Sequence, residues 1–214
     1  MPASTPPASL SVDLDRPEDG DETTARVLDA ALAELVEFGI RRTTVDSVAQ
    51  RAGLARMTVY RRFAGKDALV QAVVVREMRR FLATLARSLT GARTVADALE
   101  SGFAAGVLGW HGHPFGRRII EREPDAVLPY LTRDAGPALA IVTTFIRAQL
   151  AHASDVQRVD PDALGAACEA TTRLAQSYAL TPAGAGVPTE SELRGLARRM
   201  ILPLLLPRRE PEKT

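Results

Sequence analysis

The chain has 214 residues, 46% of them hydrophobic and 25% charged, which allows one domain of ordinary size with a small domain attached. No apolar run approaches the roughly 20 residues that a membrane-spanning helix needs. The single cysteine, Cys168, excludes an internal disulfide, and the first residues show no signal-peptide pattern, so we expect a cytoplasmic protein.

The net charge of +1 hides an uneven distribution along the chain. Residues 1–22 carry six acids and one arginine, residues 23–92 carry twelve bases and six acids, and the remainder balances at zero. The proline-rich acidic segment 1–22 is predicted to be a disordered tail, which is either a solvated leader or a weak competitor of nucleic-acid phosphates. The basic region that follows is typical of a nucleic-acid-binding module.

The first predicted helix begins after Thr23 or Thr24 and ends at Gly39. The next stretch, from Thr44 to Lys66, has the pattern of a helix, a tight turn and a second helix. Ala49, Gly53 and Val59 occupy the positions at which two such helices touch: a small residue, a residue that tolerates the left-handed conformation, and an apolar residue between the helices. Thr44 is a plausible N-cap of the first helix of this pair.

The second helix of the pair keeps its basic, hydroxyl and aromatic side chains on the outward face. These are Arg56, Met57, Thr58, Tyr60, Arg61 and Arg62. Arginine can bind guanine through two hydrogen bonds, while threonine and tyrosine can reach phosphates or thymine methyls, so we interpret this segment as a recognition helix for the major groove. A basic helix face is also a common solvated surface, but the contact residues at correct spacing favour DNA binding. Lys66 opposes the dipole of the helix that it begins, which favours a phosphate nearby.

The segment from about Thr24 to Leu69 resembles the DNA-binding domain of the TetR family of transcriptional regulators. The specific matches are TTVDSVAQRAGL, TVYRRF and GKDAL. The resemblance implies a dimeric, all-helical regulator whose C-terminal domain binds a small-molecule effector and thereby controls DNA affinity, and it also implies a phosphate contact at Thr44. Two residues depart from the family pattern: Ala55 replaces a capping serine, and Arg62 replaces a tyrosine or histidine.

Helices are further predicted from Lys66 to about Ser88 and near residues 94–109, 114–121, 125–133, 136–153, 160–179 and 190–206. The predicted fold is therefore all-α, with an N-terminal three-helix helix-turn-helix domain and a C-terminal helical domain for effector binding and dimerisation. The predicted divisions are the tail 1–22, the DNA-binding domain 23–66, the helical domain 67–207 and a C-terminal tail 208–214.

A homodimer is expected because one short helix reads too few base pairs, whereas two reach half-sites about 34 Å apart on a (pseudo)palindromic operator. Small and apolar residues on the last two long helices are the predicted interface. They are Ala163, Ala167, Ala170, Leu174, Leu193, Leu196, Ala197 and Met200.

The effector cavity is an expectation from the family resemblance. Its candidate lining combines large apolar side chains with a few polar ones, and each of them could instead fill the core. The candidates are Phe103, Val107, Trp110, Phe115, Ile119, Leu128, Phe145, Gln149, Glu169, Thr172 and Arg173.

The sequence contains no pattern that indicates catalysis, a metal or a cofactor. His111 and His113 flank Gly112 without a third ligand at useful spacing, so a surface loop is favoured over a zinc site. Cys168 is interpreted as a core residue rather than a redox sensor. The alternative to an effector-released repressor is a DNA-binding regulator or architectural protein whose helical domain responds to a partner.

Overall fold

The computed structural model describes residues 21–181 and 186–206 of the chain. Every regular element within these residues is helical, which confirms the predicted all-α fold. The α-helices of the described part are α1 (Glu22–Arg42), α2 (Val45–Ala52), α3 (Arg56–Tyr60), α4 (Lys66–Leu89), α5 (Val95–Gly112), α6 (Pro114–Arg122), α7 (Pro124–Leu131), α8 (Gly136–Leu150), α9 (Pro161–Leu180) and α10 (Glu190–Met200). Of the predicted acidic tail 1–22, Asp21 caps α1 and Glu22 is the first residue of that helix. Residues 1–20 and the predicted C-terminal tail 208–214 lie outside the described residues.

Several helix ends differ from the sequence expectation; for example, α5 continues to Gly112 and α8 ends already at Leu150. The first helix begins at Glu22 rather than after Thr23 or Thr24, because the carboxylate of Asp21 accepts a hydrogen bond from the Thr24 amide at 2.7 Å and caps the helix. The last predicted helix ends at Met200, and Leu202–Leu205 form a 3₁₀ turn. Pro203 suits a first helical turn but cannot continue a helix that has already begun.

The chain divides into two compact units. The first comprises the described part of Met1–Phe81 together with His113–Ala138, and the second comprises Leu82–Gly112 together with the described part of Leu139–Thr214. The helix-turn-helix therefore belongs to a unit larger than the predicted segment 23–66. The additional helices α6 and α7 come from a distant part of the sequence.

The core of the first unit is formed by the apolar faces of α1, α2, α3 and the beginning of α4. Its buried members include Val27, Leu35, Val48, Val59 and Leu69. Helix α6 packs against α1 in the same unit. Helices α1–α4 thus share one core, against which Val127 of α7 also packs. The orientation of α3 is therefore set by its neighbours rather than by its own five residues.

Charged residues on α4 are also buried in the first unit. Arg76 forms an ion pair with Asp29 of α1 at 2.9 Å, and Glu77 lies 2.9 Å from Nε2 of His113. Burial raises the pKa of Glu77, but the hydrogen bond with His113 and the positive charges of Arg80, His113 and Arg76 outweigh burial, so the pKa lies below its usual value. His113 is therefore held against α4, where its role is structural.

The second unit has its core between α5, α9 and α10. Leu99, Phe103 and Val107 of α5 are fully buried, and Phe103 meets Tyr178 of α9 edge to face with ring centroids 6.0 Å apart. The buried carboxylate of Glu100 accepts two hydrogen bonds from Arg198 of α10, at 2.9 and 2.7 Å. Cys168 is also buried in this core, and burial raises the pKa of its thiol to about 11.

Candidate nucleic-acid interface

The beginning of α2 is fixed by a reciprocal cap. The Thr44 hydroxyl accepts a hydrogen bond from the Ser47 amide at 3.0 Å, and the Ser47 hydroxyl accepts one from the Thr44 amide at 3.1 Å. This confirms the predicted N-cap. Thr44 is exposed at this helix end, in the position from which a side chain can meet a phosphate.

The turn between α2 and α3 has the geometry that its sequence predicts. Gly53 has φ +64° and ends α2, and the Leu54 amide donates to the Ala49 carbonyl at 3.0 Å. Ala49 and Val59 are buried between the two helices. Arg26 of α1 donates to the Ala52 carbonyl at 2.8 Å and so caps the end of α2, a contact that the sequence analysis did not identify.

Burial of Val59 leaves Arg56 and Met57 of α3 exposed, whereas Tyr60 is half-buried and packs against the core, which differs from the outward position that the sequence predicts for it. Met57 is 66% exposed, the highest fraction of any large hydrophobic side chain in the first unit's described part. Arg56 lies over the ring of Tyr60, 5.2 Å from its centroid, and pairs with Asp46 of α2 at 2.9 Å. Thr58 is half-buried. No side chain of the described residues caps α3, which agrees with the noted absence of a capping serine at Ala55.

Arg61 and Arg62, which follow α3, have different surroundings. Both are exposed, but the Arg61 side chain makes no hydrogen bond or ion pair with any described residue. Arg62 donates to the Asp21 carboxylate at 2.5 Å and to the Thr24 hydroxyl at 3.1 Å. The hydrogen bond from Arg62 is the largest of the effects that lower the pKa of Asp21, to about 2. Arg61 is thus available to a base edge, whereas Arg62 ties the end of α3 to the start of α1.

Lys66 is linked to α6 through the end of α1. Its ammonium donates to the Arg41 carbonyl at 3.0 Å. The Arg41 amide in turn donates to the Glu123 carboxylate at 2.9 Å, and the Ile40 amide donates to the same carboxylate at 3.1 Å. These amides can donate to Glu123 because Gly39, with φ +82°, interrupts the helical hydrogen bonding of α1 one turn before its end. The predicted phosphate-binding lysine therefore belongs to a network that includes α6–α7.

Comparison with known proteins finds relatives of the helix-turn-helix segment. Residues 27–73, which contain the whole helix-turn-helix, match a family described as bacterial regulatory proteins, tetR family. The likeness to the TetR family is thus found in the helix-turn-helix part of the chain. It is 41% identical over 56 residues to the HTH-type transcriptional regulator SrpR of Pseudomonas putida and 43% identical over 53 residues to the uncharacterised HTH-type transcriptional regulator TtgW of the same species. These matches cover 26% and 25% of this chain, and 26% and 40% of the relatives, so the chain spans less than half the length of the curated relatives that it matches.

The TetR fold extends over most of the chain. The TetR family repressor AlkX from Dietzia sp. strain DQ12-45-1b aligns with 87% of this chain and 96% of its own, with a TM-score of 0.62 at 21% identity. SmeT, the repressor of the Stenotrophomonas maltophilia multidrug efflux pump SmeDEF, aligns with 92% of this chain and 100% of its own, with a TM-score of 0.52 at 21% identity. At these identities the likeness shows the fold alone.

The predicted effector-site residues are distributed over several environments. Phe103, Val107 and Thr172 are buried in the second unit, and the Thr172 hydroxyl accepts a hydrogen bond from Thr143 at 3.0 Å. Trp110, Phe145 and Gln149 are half-buried. The side chains of Phe115 and Ile119 lie outside the described residues. Glu169 and Arg173 form an ion pair one helical turn apart on α9, with side chains 58% and 63% exposed, and their role in effector binding stays a prediction.

The described surface includes two clefts of moderate size. One in the second unit has a volume of about 250 Å³ and is lined by residues of α4, α5 and α8, Gln149 among them, and by His152, which follows α8. The other, in the first unit, has a volume of about 330 Å³ and includes Leu128 of α7 in its wall. Of the predicted effector-site residues, these clefts include Gln149 and Leu128. Both clefts lie near or below the lower end of the usual size range of small-molecule sites.

The predicted dimer residues also divide into two groups. Met200 is 47% exposed, and Ala163, Ala170, Leu174 and Leu196 are half-buried, so these side chains can reach a partner. Ala167, Leu193 and Ala197 are fully buried within the second unit and have no surface to offer, which corrects this part of the prediction. Small residues at helical spacing occur both in the core and at interfaces, and the sequence alone did not separate the two.

The histidines of the predicted 111–113 loop do not come together. Nε2 of His111 lies 3.1 Å from the Tyr178 carbonyl of the second unit, whereas His113 pairs with Glu77 of the first. Each ring therefore has a protein partner. Among the described residues, no group of three or more His, Cys, Asp or Glu side chains is placed to hold a metal ion, and no described helix combines the length and apolarity required to cross a bilayer.

Proposed function

We propose that this protein is a sequence-specific DNA-binding transcriptional regulator of the TetR type in the cytoplasm, which acts as a homodimeric repressor and leaves its operator when a small-molecule effector binds. The observation that carries the proposal is the outward face of α3. Val59 fixes this helix on the core, while Met57 and Arg61 are exposed at its surface. Such a helix can enter the major groove, where an exposed guanidinium can donate two hydrogen bonds to one guanine.

Dimerisation is supported by the surface of the second unit. Met200 of α10 and Leu204 of the following 3₁₀ turn are 47% and 41% exposed, and half-buried Ala170 and Leu174 lie on α9. Exposed apolar groups that lie close together are typical of a protein-protein interface. Two copies would bring two α3 helices to successive turns of one DNA duplex, so that a palindromic operator matches the two-fold symmetry of the protein.

Effector control is supported by the similarity of residues 27–73 to the TetR family and by the separate helical core of the second unit. An effector releases DNA only to the extent that it binds the DNA-free conformation more tightly than the DNA-bound one. An effector that lowers the affinity of the protein for operator by some factor must itself bind more weakly, by the same factor, when operator is present. We expect this linkage for an effector of this protein. A regulator that responds to a protein partner instead would bind operator in the same way but show no such linkage with any small molecule.

The first experiment is selection of genomic DNA fragments on the purified protein, followed by affinity measurements on the enriched sequence and on random duplex. Arg61→Ala is expected to lower operator affinity roughly 5- to 150-fold with little effect on random DNA, because a lost base contact costs about 1 to 3 kcal/mol. Lys66→Ala is expected to weaken both DNAs similarly and to reduce the salt dependence by about one counterion.

Arg158→Ala is the matched control, since it removes one exposed arginine in the second unit. It is expected to bind operator like the parent protein. If the parent enriches no sequence, the proposed function is refuted. If Arg61→Ala binds operator as tightly as Arg158→Ala does, the assignment of Arg61 as the base-reading residue is wrong.

A further inference from the structure

Two of the three arginines at α3 are paired with carboxylates of the same chain. Nε of Arg56 lies 2.9 Å from Oδ1 of Asp46, and Nη1 of the same arginine donates to Oδ2 at 3.1 Å. Nη2 of Arg62 donates to Oδ2 of Asp21 at 2.5 Å. Asp21 caps α1, and Asp46 lies in the first turn of α2. The beginnings of two helices thus each place one negative charge against the predicted DNA-binding face.

Helix capping does not require these residues to carry a charge, and the helix dipole favours a negative charge at an exposed helix start by only about 0.3 to 1 kcal/mol. Oδ1 of Asp21 accepts the Thr24 amide while Oδ2 binds Arg62, and an asparagine oxygen would cap α1 as well. Asp46 and Arg56 have side chains 59% and 61% exposed, and such exposed ion pairs contribute little to folding stability. The main effect of the two negative charges is therefore on the binding of an anion from solvent to Arg56 or Arg62.

Non-specific binding to DNA depends on the number of phosphates that the protein neutralises, because each neutralised phosphate releases counterions. An arginine that already holds a carboxylate brings almost no net charge to the duplex. A phosphate must displace that carboxylate, and the displaced carboxylate remains close enough to repel it. Lys66 differs, since its in-chain partner is the neutral Arg41 carbonyl, and Arg61 has no described side-chain partner at all.

We propose that Asp21 and Asp46 are specificity-determining residues that act as in-chain competitors of DNA phosphate. They suppress binding to random DNA by neutralising Arg62 and Arg56, and they leave sequence discrimination to Arg61. This inference rests on the proposed DNA-binding function, and it assigns a role to acidic residues within the DNA-binding face. The competing ligand is the phosphodiester backbone of duplex DNA.

The test uses the full-length variants Asp21→Asn, Asp46→Asn and the double variant. Affinities for random duplex and for the selected operator are measured over a series of salt concentrations. Each substitution is expected to steepen the salt dependence on random DNA by up to about 0.9 in the logarithmic slope, which corresponds to at most roughly 8-fold tighter binding at 0.1 M salt. Operator affinity is expected to rise less, so the ratio of specific to non-specific affinity falls.

Asp162→Asn is the control for net charge. It removes one exposed carboxylate from the first turn of α9 in the second unit and is expected to change neither affinity. A further variant, Asp46→Asn with Arg56→Gln, distinguishes the release of Arg56 from the change in the net charge of the protein as the cause of a gain in DNA affinity. If the released arginine causes the gain on random DNA, the second substitution removes the gain. Thermal unfolding of each variant checks that the helix-turn-helix is retained.

Two results overturn the inference. One is an unchanged slope and random-DNA affinity in Asp21→Asn and Asp46→Asn relative to Asp162→Asn. The other is a gain in Asp46→Asn that persists when Arg56 is replaced. Both results leave the proposed function standing if the parent still enriches an operator, whereas failure of the parent to enrich any sequence refutes the proposed function itself.

Discussion

Replacing Gly39 with alanine is expected to destabilise the first unit by separating α6–α7 from the end of α1. Gly39 has φ +82° and ψ 172°, a backbone conformation that is nearly restricted to glycine and that costs other residues about 1 to 3 kcal/mol. A Cβ atom at this position would lie 2.5 Å from Oε1 and 3.1 Å from Cδ of Glu123. The carboxylate would have to move away.

The displaced carboxylate would lose its hydrogen bonds from the Ile40 and Arg41 amides, at 3.1 and 2.9 Å. We assign this loss about 1 to 2 kcal/mol, at the low end for bonds to a charged group because the site is partly exposed. The expected total for Gly39→Ala is therefore about 2 to 5 kcal/mol. Glu123→Ala alone is expected to cost about 1 to 2 kcal/mol, since it loses the same hydrogen bonds without backbone strain.

The assay is urea unfolding at one fixed protein concentration, combined with amide hydrogen exchange in the core of the first unit. Gly91→Ala is the matched control, because Gly91 has φ +93° and a Cβ there would meet no atom within 4 Å. It reports backbone strain alone. In the double variant Gly39→Ala with Glu123→Ala the hydrogen bonds are lost only once, so its cost is expected to fall below the sum of the single costs by about 1 to 2 kcal/mol. Strictly additive costs, or a Gly39→Ala cost no larger than that of Gly91→Ala, would refute the reasoning.

Three further predictions concern other sites. Arg62→Ala is expected to raise the pKa of Asp21 from about 2 toward its ordinary 3.8, as measured by carboxyl NMR. Because the folded pKa is the lower one, the stabilisation from this pair is present above about pH 3.8 and lost as the pH falls through 2. Iodoacetamide at pH 8 is expected to leave Cys168 unmodified until urea unfolds the second unit, since burial raises the thiol pKa to about 11; rapid labelling of folded protein would contradict this. Leu193→Ala is expected to cost about 2 to 5 kcal/mol of unfolding free energy, whereas Met200→Ala changes mainly the dimer dissociation constant measured by analytical ultracentrifugation. If Leu193→Ala and Met200→Ala changed the unfolding free energy and the dimer dissociation constant equally, the placement of Leu193 in the core and of Met200 at the surface would be contradicted.

The helix-turn-helix was predictable residue by residue because its determinants are local. The Thr44 cap and the left-handed Gly53 act over three to five residues, and Val59 lies only ten residues from Ala49. Helix and turn preferences operate over such distances, so a single sequence contains the necessary information. The same holds for the approximate number and limits of the later helices, which follow apolar periodicity and proline positions.

Partners distant in sequence were not predictable. Glu123 binds an amide 83 residues away, Arg198 binds Glu100 98 residues away, and Arg62 reaches Asp21 across 41 residues. No spacing rule connects such positions, since only the packing of whole helices brings them together. Arg62 was predicted to contact DNA, and that contact stays a prediction, although the in-chain carboxylate now competes for the same guanidinium.

The amino-acid sequence by itself determined the all-helical class, the position of the helix-turn-helix and the family, because these depend on caps, turns and periodicity within short windows. Tertiary structure alone decided that α6 and α7 belong to the DNA-binding unit and that Leu193 and Ala197 face a core rather than a partner. It also decided which arginines at α3 already hold a carboxylate. The physical reason is that burial and charge pairing depend on which helix faces meet, and the crossing of helices is fixed by all their side chains together.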